Sequence, residues 1–157
     1  MFSSSQLVVG VDIGSHSVKI CQLKRTDKAY SIVTIGSAVL PEGAVDDGAL
    51  VEPEVVASAI SNLFKNLKIK HKKVGISISG YSVIVKKVNL AVMSEKDMED
   101  HIMAEAEQYI PFDIQDVYLD FQDLKTNKEG YERTDVMLVA AKKEIVDDYL
   151  NMLESIG

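Results

Sequence analysis

Residues 6–13 are apolar on both faces, as in a central strand covered on each side, and residues 18–24 and 30–39 read as two further strands. Gly14-Ser15 and Thr26-Asp27-Lys28 supply the turns between them. Two short connections in succession predict an antiparallel meander. Residues 40–52, with Pro41, Gly43 and Gly48, read as a loop leading to Pro53, whose locked φ and missing N–H suit the first turn of a helix. Val55, Val56, Ala59, Ile60, Leu63, Phe64 and Leu67 then recur on one helical face, a wide stripe to lay against the sheet. Residues 74–79 form a short strand closed by Gly80.

The pattern restarts at Tyr81. Residues 82–90 are a strand whose Ile84, Val88 and Leu90 share a face with Lys86, and a lobe boundary is expected near Gly80. Ser94 and Asp97 make a capping-box-like start, with Asp where Glu or Gln is commoner, for a helix that runs to Tyr109 and is ended by Pro111. Val117, Leu119 and Phe121 alternate with Tyr118, Asp120 and Gln122, the mark of a half-buried strand. Lys128-Glu129-Gly130 turns it back into residues 136–141, a hairpin with a long tip. Ile145, Tyr149, Leu153 and Ile156 give a last helix, with Gly157 where a C-terminal cap would fall. No internal repeat, heptad run or low-complexity segment interrupts this order.

With 157 residues and 46% hydrophobic content, the chain can bury its own core as one domain or two small lobes. A formal charge of -7 argues against broad binding to nucleic acid or anionic lipid, although it leaves room for a local basic patch. Residues 65–73, KNLKIKHKK, are the one basic cluster. They read either as a solvated helix end, where cations suit the helix dipole, or as an electrostatic contact. Cys21 stands alone and excludes an intrachain disulfide. Residues 1–6 lack the basic segment of a signal peptide, and Asp12 breaks the apolar run that follows. No stretch of about 18 apolar residues predicts a membrane-spanning helix, so a link to a membrane would run through a partner. The acid pairs Asp46-Asp47 and Asp147-Asp148 read as solvated charges, the six methionines as core filling, and no spacing suggests a zinc site.

The chemistry concentrates in VGVDIGSHSVKI, residues 9–20, where a strand is interrupted by a short polar turn and resumes as a second strand. Gly14 lets backbone approach a ligand, and successive N–H groups of such a turn point at an anion. Ser15 and Ser17 add hydroxyl donors. Lys19 adds a point charge for phosphate, and Asp12 suits a hydrated divalent cation. The alternative is a plain hairpin turn chosen for its conformation. The turn lacks the spacing of a P-loop or of a dinucleotide fingerprint, and it joins two strands.

That context resembles the first phosphate loop of the actin-like ATPase superfamily. A second stretch, EAEQYIPFDI at residues 105–114 with DVYLDFQ at 116–122, is similar to the PilM family, the cytoplasmic actin-like proteins of type IV pilus machines. The resemblance spans essentially the whole chain. It implies an α/β, actin-like (ribonuclease H-like) ATPase fold in part. Residues 1–80 would be subdomain IA with the phosphate loop, and 81–157 the later-inserted subdomain IC of the FtsA and PilM branch. It also implies ATP and Mg as cofactors, with Asp12 holding metal-bound water, Gly14, Ser15 and His16 forming a backbone cradle, and Ser17 and Lys19 meeting phosphate oxygens. His16 would act through its backbone and not as a base. The second phosphate loop and adenosine segment would follow residue 157, so this chain alone is expected to bind ATP weakly or not at all and to hydrolyse none.

The same resemblance implies a partner, the cytoplasmic N-terminal tail of PilN, in a groove between the two subdomains. Tyr109, Ile110, Pro111 and Phe112 either wall that groove or pack as plain core. The protein would be a cytoplasmic scaffold held at the inner membrane by its pilus partners, with no nucleic acid and no direct membrane insertion, and self-association stays open. The alternatives are an FtsA-like division filament and a small-molecule kinase of the same superfamily.

Overall fold

The computed structural model describes residues 9–25, 29–126 and 132–157. The expected strand start at residues 6–8 and the turns Thr26-Asp27-Lys28 and Lys128-Glu129-Gly130 lie outside them. The chain divides into two compact units, Met1–Gly80 with Asp147–Gly157, and Tyr81–Val146.

In the first unit β1 (Val9–Ile13), β2 (Ser17–Arg25) and β3 (Tyr30–Val39) form the expected antiparallel meander. A short β6 (Val74–Ile76) adds parallel to β1, giving the order β3-β2-β1-β6. A parallel neighbour requires a crossover, and α1 (Pro53–Asn66) provides it, starting on Pro53. It packs against β2 and β3 and buries Val56, Ala57, Ile60 and Leu63. On the sheet, Val9, Val11, Val18 and Ile20 are buried. Among the described residues the opposite sheet face is not covered in this way. There β1 carries Gly10 and Asp12, both exposed, and Ile35 and Val39 of β3 are 65% and 85% exposed. The two-sided burial expected of β1 is therefore one-sided.

The expected loop over residues 40–52 contains a small hairpin of β4 (Val45–Asp46) and β5 (Ala49–Leu50). Asp47 and Gly48 join them with φ of 48° and 84°, the two positive values that a type I′ turn needs. The Asp-Gly pair was the signal for it.

In the second unit β7 (Val83–Ala91), β8 (Val117–Asp123) and β9 (Arg133–Lys142) form an antiparallel sheet of order β7-β9-β8. Here α2 (Glu95–Tyr109) buries Met98, Ile102 and Ala106, and Met98 and Ile102 pack with Val88, Leu90, Val136 and Leu138. Ser94 caps it as expected, accepting a hydrogen bond from Asp97 N–H at 3.2 Å. The helix stops at Ile110, which is extended (φ -125°, ψ 140°) as a residue before proline must be.

The last helix, α3 (Lys143–Ser155), departs from the expected division at residue 80. The sequence leads one to expect residues 81–157 in one lobe, whereas from Asp147 onward the helix belongs to the first unit, where Tyr149 and Met152 are buried.

Candidate functional site

The β1–β2 connection is held by main-chain bonds. Gly14 N–H donates to the Ser17 carbonyl at 3.1 Å, and Leu40 N–H donates to the His16 carbonyl at 2.9 Å, which ties the turn to the chain leaving β3. Antiparallel register sets Asp12 opposite Lys19. Lys19 Nζ donates to Asp12 Oδ2 at 2.9 Å, with both side chains 60% exposed. This is a solvated ion pair at the mouth of the turn, of small weight in folding. Ser15 Oγ lies 2.8 Å from His16 Nδ1, and both residues are exposed. Val18, facing the other way, is fully buried and anchors the start of β2.

Asp12, Gly14, Ser15, His16, Ser17 and Lys19 thus lie in one strand-turn-strand unit. Gly14 has only part of the expected role open to it. Its φ is not positive, and a Cβ there would meet only the Ser17 carbonyl oxygen at an ordinary 3.6 Å, so the turn itself does not demand glycine. Its N–H is already engaged with Ser17 and is not free for an anion. What glycine leaves is bare backbone where a ligand would approach. An ammonium, a carboxylate, two hydroxyls and that backbone suit phosphate oxygens with a hydrated divalent cation. Among the described residues no group of His, Cys, Asp and Glu is arranged to ligate a metal ion directly.

The second candidate region lies within the Tyr81–Val146 unit, and its four residues separate. Ile110 is 4% exposed and packs with Val117 and Ala140, so it is core. Tyr109 packs against the same core and donates its hydroxyl to Glu105 Oε2 at 3.2 Å. Burial first, and then that bond to Glu105, push its phenol above the ordinary range. Phe112 is half-buried and also packs against this core, but with the exposed Pro111 it lines an open cleft of about 510 Å³ beside Asp113, Asp116, Lys142 and Lys143. Lys142 Nζ stands 5.2 Å from the centre of the Phe112 ring, a cation–π distance. Lys143 Nζ donates to the Gln115 carbonyl at 2.7 Å. Sequence reasoning passed over both lysines, although a Lys-Lys pair closing an apolar strand was the available signal.

The family profile of type IV pilus assembly protein PilM matches residues 10–157. Among solved structures, the chain is similar to the PilM-PilN type IV pilus biogenesis complex, at 29% identity and a TM-score of 0.83, over 96% of this chain and 44% of that one. It therefore spans less than half the length of that relative. Weaker likenesses reach the PPX-GPPA enzyme of Aquifex aeolicus, at 24% identity and a TM-score of 0.35 over 45% of this chain and 25% of that one. They also reach a Bacteroides thetaiotaomicron protein with actin-like ATPase fold and unknown function, at 12% identity and a TM-score of 0.39 over 98% and 52% of the two chains. Both superpose too loosely to carry an argument.

Proposed function

Because the chain belongs to the PilM family of type IV pilus assembly proteins, whose α/β, actin-like ATPase fold it has in part, we propose that it serves as an ATP-carrying scaffold that engages the cytoplasmic tail of PilN at the inner membrane. The observation that carries this reading is the TM-score of 0.83 to the PilM-PilN complex over 96% of the chain. The family match displaces the division-filament and kinase alternatives.

Bound ATP with its magnesium ion supplies concentrated negative charge and a terminal phosphate that can report nucleotide state. The residues of the turn fit such a group. Lys19 and the hydroxyls of Ser15 and Ser17 would meet phosphate oxygens, the Ser15 and His16 N–H groups would complete the cradle, and Asp12 would hold water on the cation. Lys19 must turn from Asp12 to the phosphate, an exchange that costs little because both side chains are already solvated.

For the tail, Pro111 and Phe112 are the apolar contacts in this reading, since Ile110 is engaged in the core. An extended peptide gains main-chain hydrogen bonds and a pocket for an apolar side chain there. Fluorescence anisotropy of a labelled PilN N-terminal tail, with a scrambled peptide as control, tests the reading. Saturable binding that depends on peptide sequence supports it; no binding by the folded chain overturns it.

A further inference from the structure

Between Glu54 and Glu95 the chain carries no acidic residue, although its net charge is -7. Within that interval Lys65, Lys68, Lys70, Lys72 and Lys73, with His71, crowd the end of α1 and the connection to β6, and every one of them is exposed. Among the described residues, no ion pair engages any of these lysines.

The charges sit on an anchored piece of chain. Ile69 N–H donates to the Phe64 carbonyl at 3.0 Å and Lys68 N–H to the Lys65 carbonyl at 3.1 Å, the paired bonds of a Schellman motif. At the far end the Lys73 carbonyl accepts from Val9 N–H of β1 at 3.3 Å. Lys68 has a φ of 56°, the left-handed position that this motif usually gives to glycine. Lys68 thus holds its charge at a position where glycine would be less strained, among lysines without an ion pair on a tethered loop.

We propose that this lysine loop is a docking surface for acidic phospholipid headgroups. The segment contains no arginine for bidentate phosphate binding and no Phe, Tyr or Trp for base stacking, His71 being its one ring, which disfavours nucleic acid. Lysines are compact point charges on long apolar stems, suited to a diffuse anionic plane without insertion. The association rests on charge alone and does not depend on the tail reading. It turns one end of the first unit's sheet toward the bilayer.

The test is co-sedimentation of this chain with vesicles of equimolar phosphatidylglycerol and phosphatidylcholine, and with phosphatidylcholine alone. Each lysine near such a surface contributes about fivefold in partitioning, so Lys70→Glu, Lys72→Glu and Lys73→Glu together should lower binding by about a hundredfold or more. Lys24→Glu, Lys86→Glu and Lys96→Glu, an equal change of charge elsewhere, should lower it far less. Salt should weaken binding over the range where the screening length shrinks below about 10 Å. Circular dichroism checks that both variants fold. Failure of the wild-type chain to sediment with the anionic vesicles, or equal losses in the two triple variants, overturns the proposal. Retention of an oligonucleotide without vesicle binding overturns it too and assigns the loop to nucleic acid.

Discussion

Tyr149 of α3 donates its phenolic hydrogen to the main-chain carbonyl of Gly48, 3.1 Å away in space and 101 residues earlier in the chain. The tyrosine is 3% exposed, and the glycine sits in the Asp47-Gly48 turn with a φ of 84°. A Cβ on Gly48 would lie 2.5 Å from the Ser79 carbonyl oxygen, so this turn is pressed against the chain leaving β6. One small contact thus gathers the last helix, the β4–β5 hairpin and the end of the first unit's sheet.

Tyr149→Phe removes the donor and should cost about 1 kcal/mol of folding stability. Gly48→Ala should cost more, about 2–4 kcal/mol, because it adds left-handed strain to a contact too short for a methyl group. Urea unfolding compares the two. An unchanged midpoint for Gly48→Ala would mean that the turn and Ser79 do not meet in solution.

Two ionisable groups set opposite pH limits. Burial holds the Tyr149 phenol above its ordinary 10.0, so its contribution is complete below about 10 and is lost as pH rises through the folded-state value. The non-ionising Tyr149→Phe should show a shallower alkaline loss of stability. At Asp135, the hydrogen bond from Asn89 (2.9 Å) and then that from Lys87 (3.2 Å) hold the carboxyl below its ordinary 3.8. Its contribution is present above 3.8 and is lost as pH falls through the folded-state value. Asp135→Asn should flatten the acid limb of thermal unfolding, and an acid limb that matches the wild type would remove Asp135 from the balance.

Asp12→Asn and Lys19→Ala separate folding from ligand binding. The Asp12–Lys19 pair is solvated, so each change should shift stability by less than about 1 kcal/mol. In a full-length PilM the same changes should lower ATP affinity about tenfold or more, since Lys19→Ala loses a charge-assisted contact to phosphate and Asp12→Asn weakens the hold on the cation's water. Calorimetric titration showing wild-type affinity in both would dismiss the turn as a phosphate site.

Ile110→Ala and Phe112→Ser should divide core from surface. The first opens a cavity beside Val117 and Ala140 and should cost about 2–4 kcal/mol. The second removes a half-buried ring that rests on the same core, so it should cost less than the first, leave the chain folded and weaken the PilN tail in the anisotropy assay. Unchanged tail affinity in folded Phe112→Ser would take this residue out of the proposed contact.

Much of the element order was legible because it is written in short-range features. Alternation marked β8, Pro53 and Pro111 marked where helices begin and end, and Ser94 with Asp97 marked a cap. The shared turn of Asp12 and Lys19 was legible too, although their direct ion pair came only with the register of β1 and β2. The Asp-Gly hairpin was missed because two-residue strands have no period to detect.

Local pattern, then, determined which segments are strands and helices and which residues share the polar turn, since side-chain alternation and backbone restriction act over a few residues. Only the tertiary structure decided what neighbours those segments have. It paired β1 in parallel with β6, Val9 beside Val74. It sent the end of α3 to the first unit and buried Ile110 in the core while Phe112, packed against that core, also reached a cleft. It also closed Gly14 N–H onto Ser17. Burial and hydrogen-bond satisfaction depend on atoms brought close from far along the chain, and no local period carries that information.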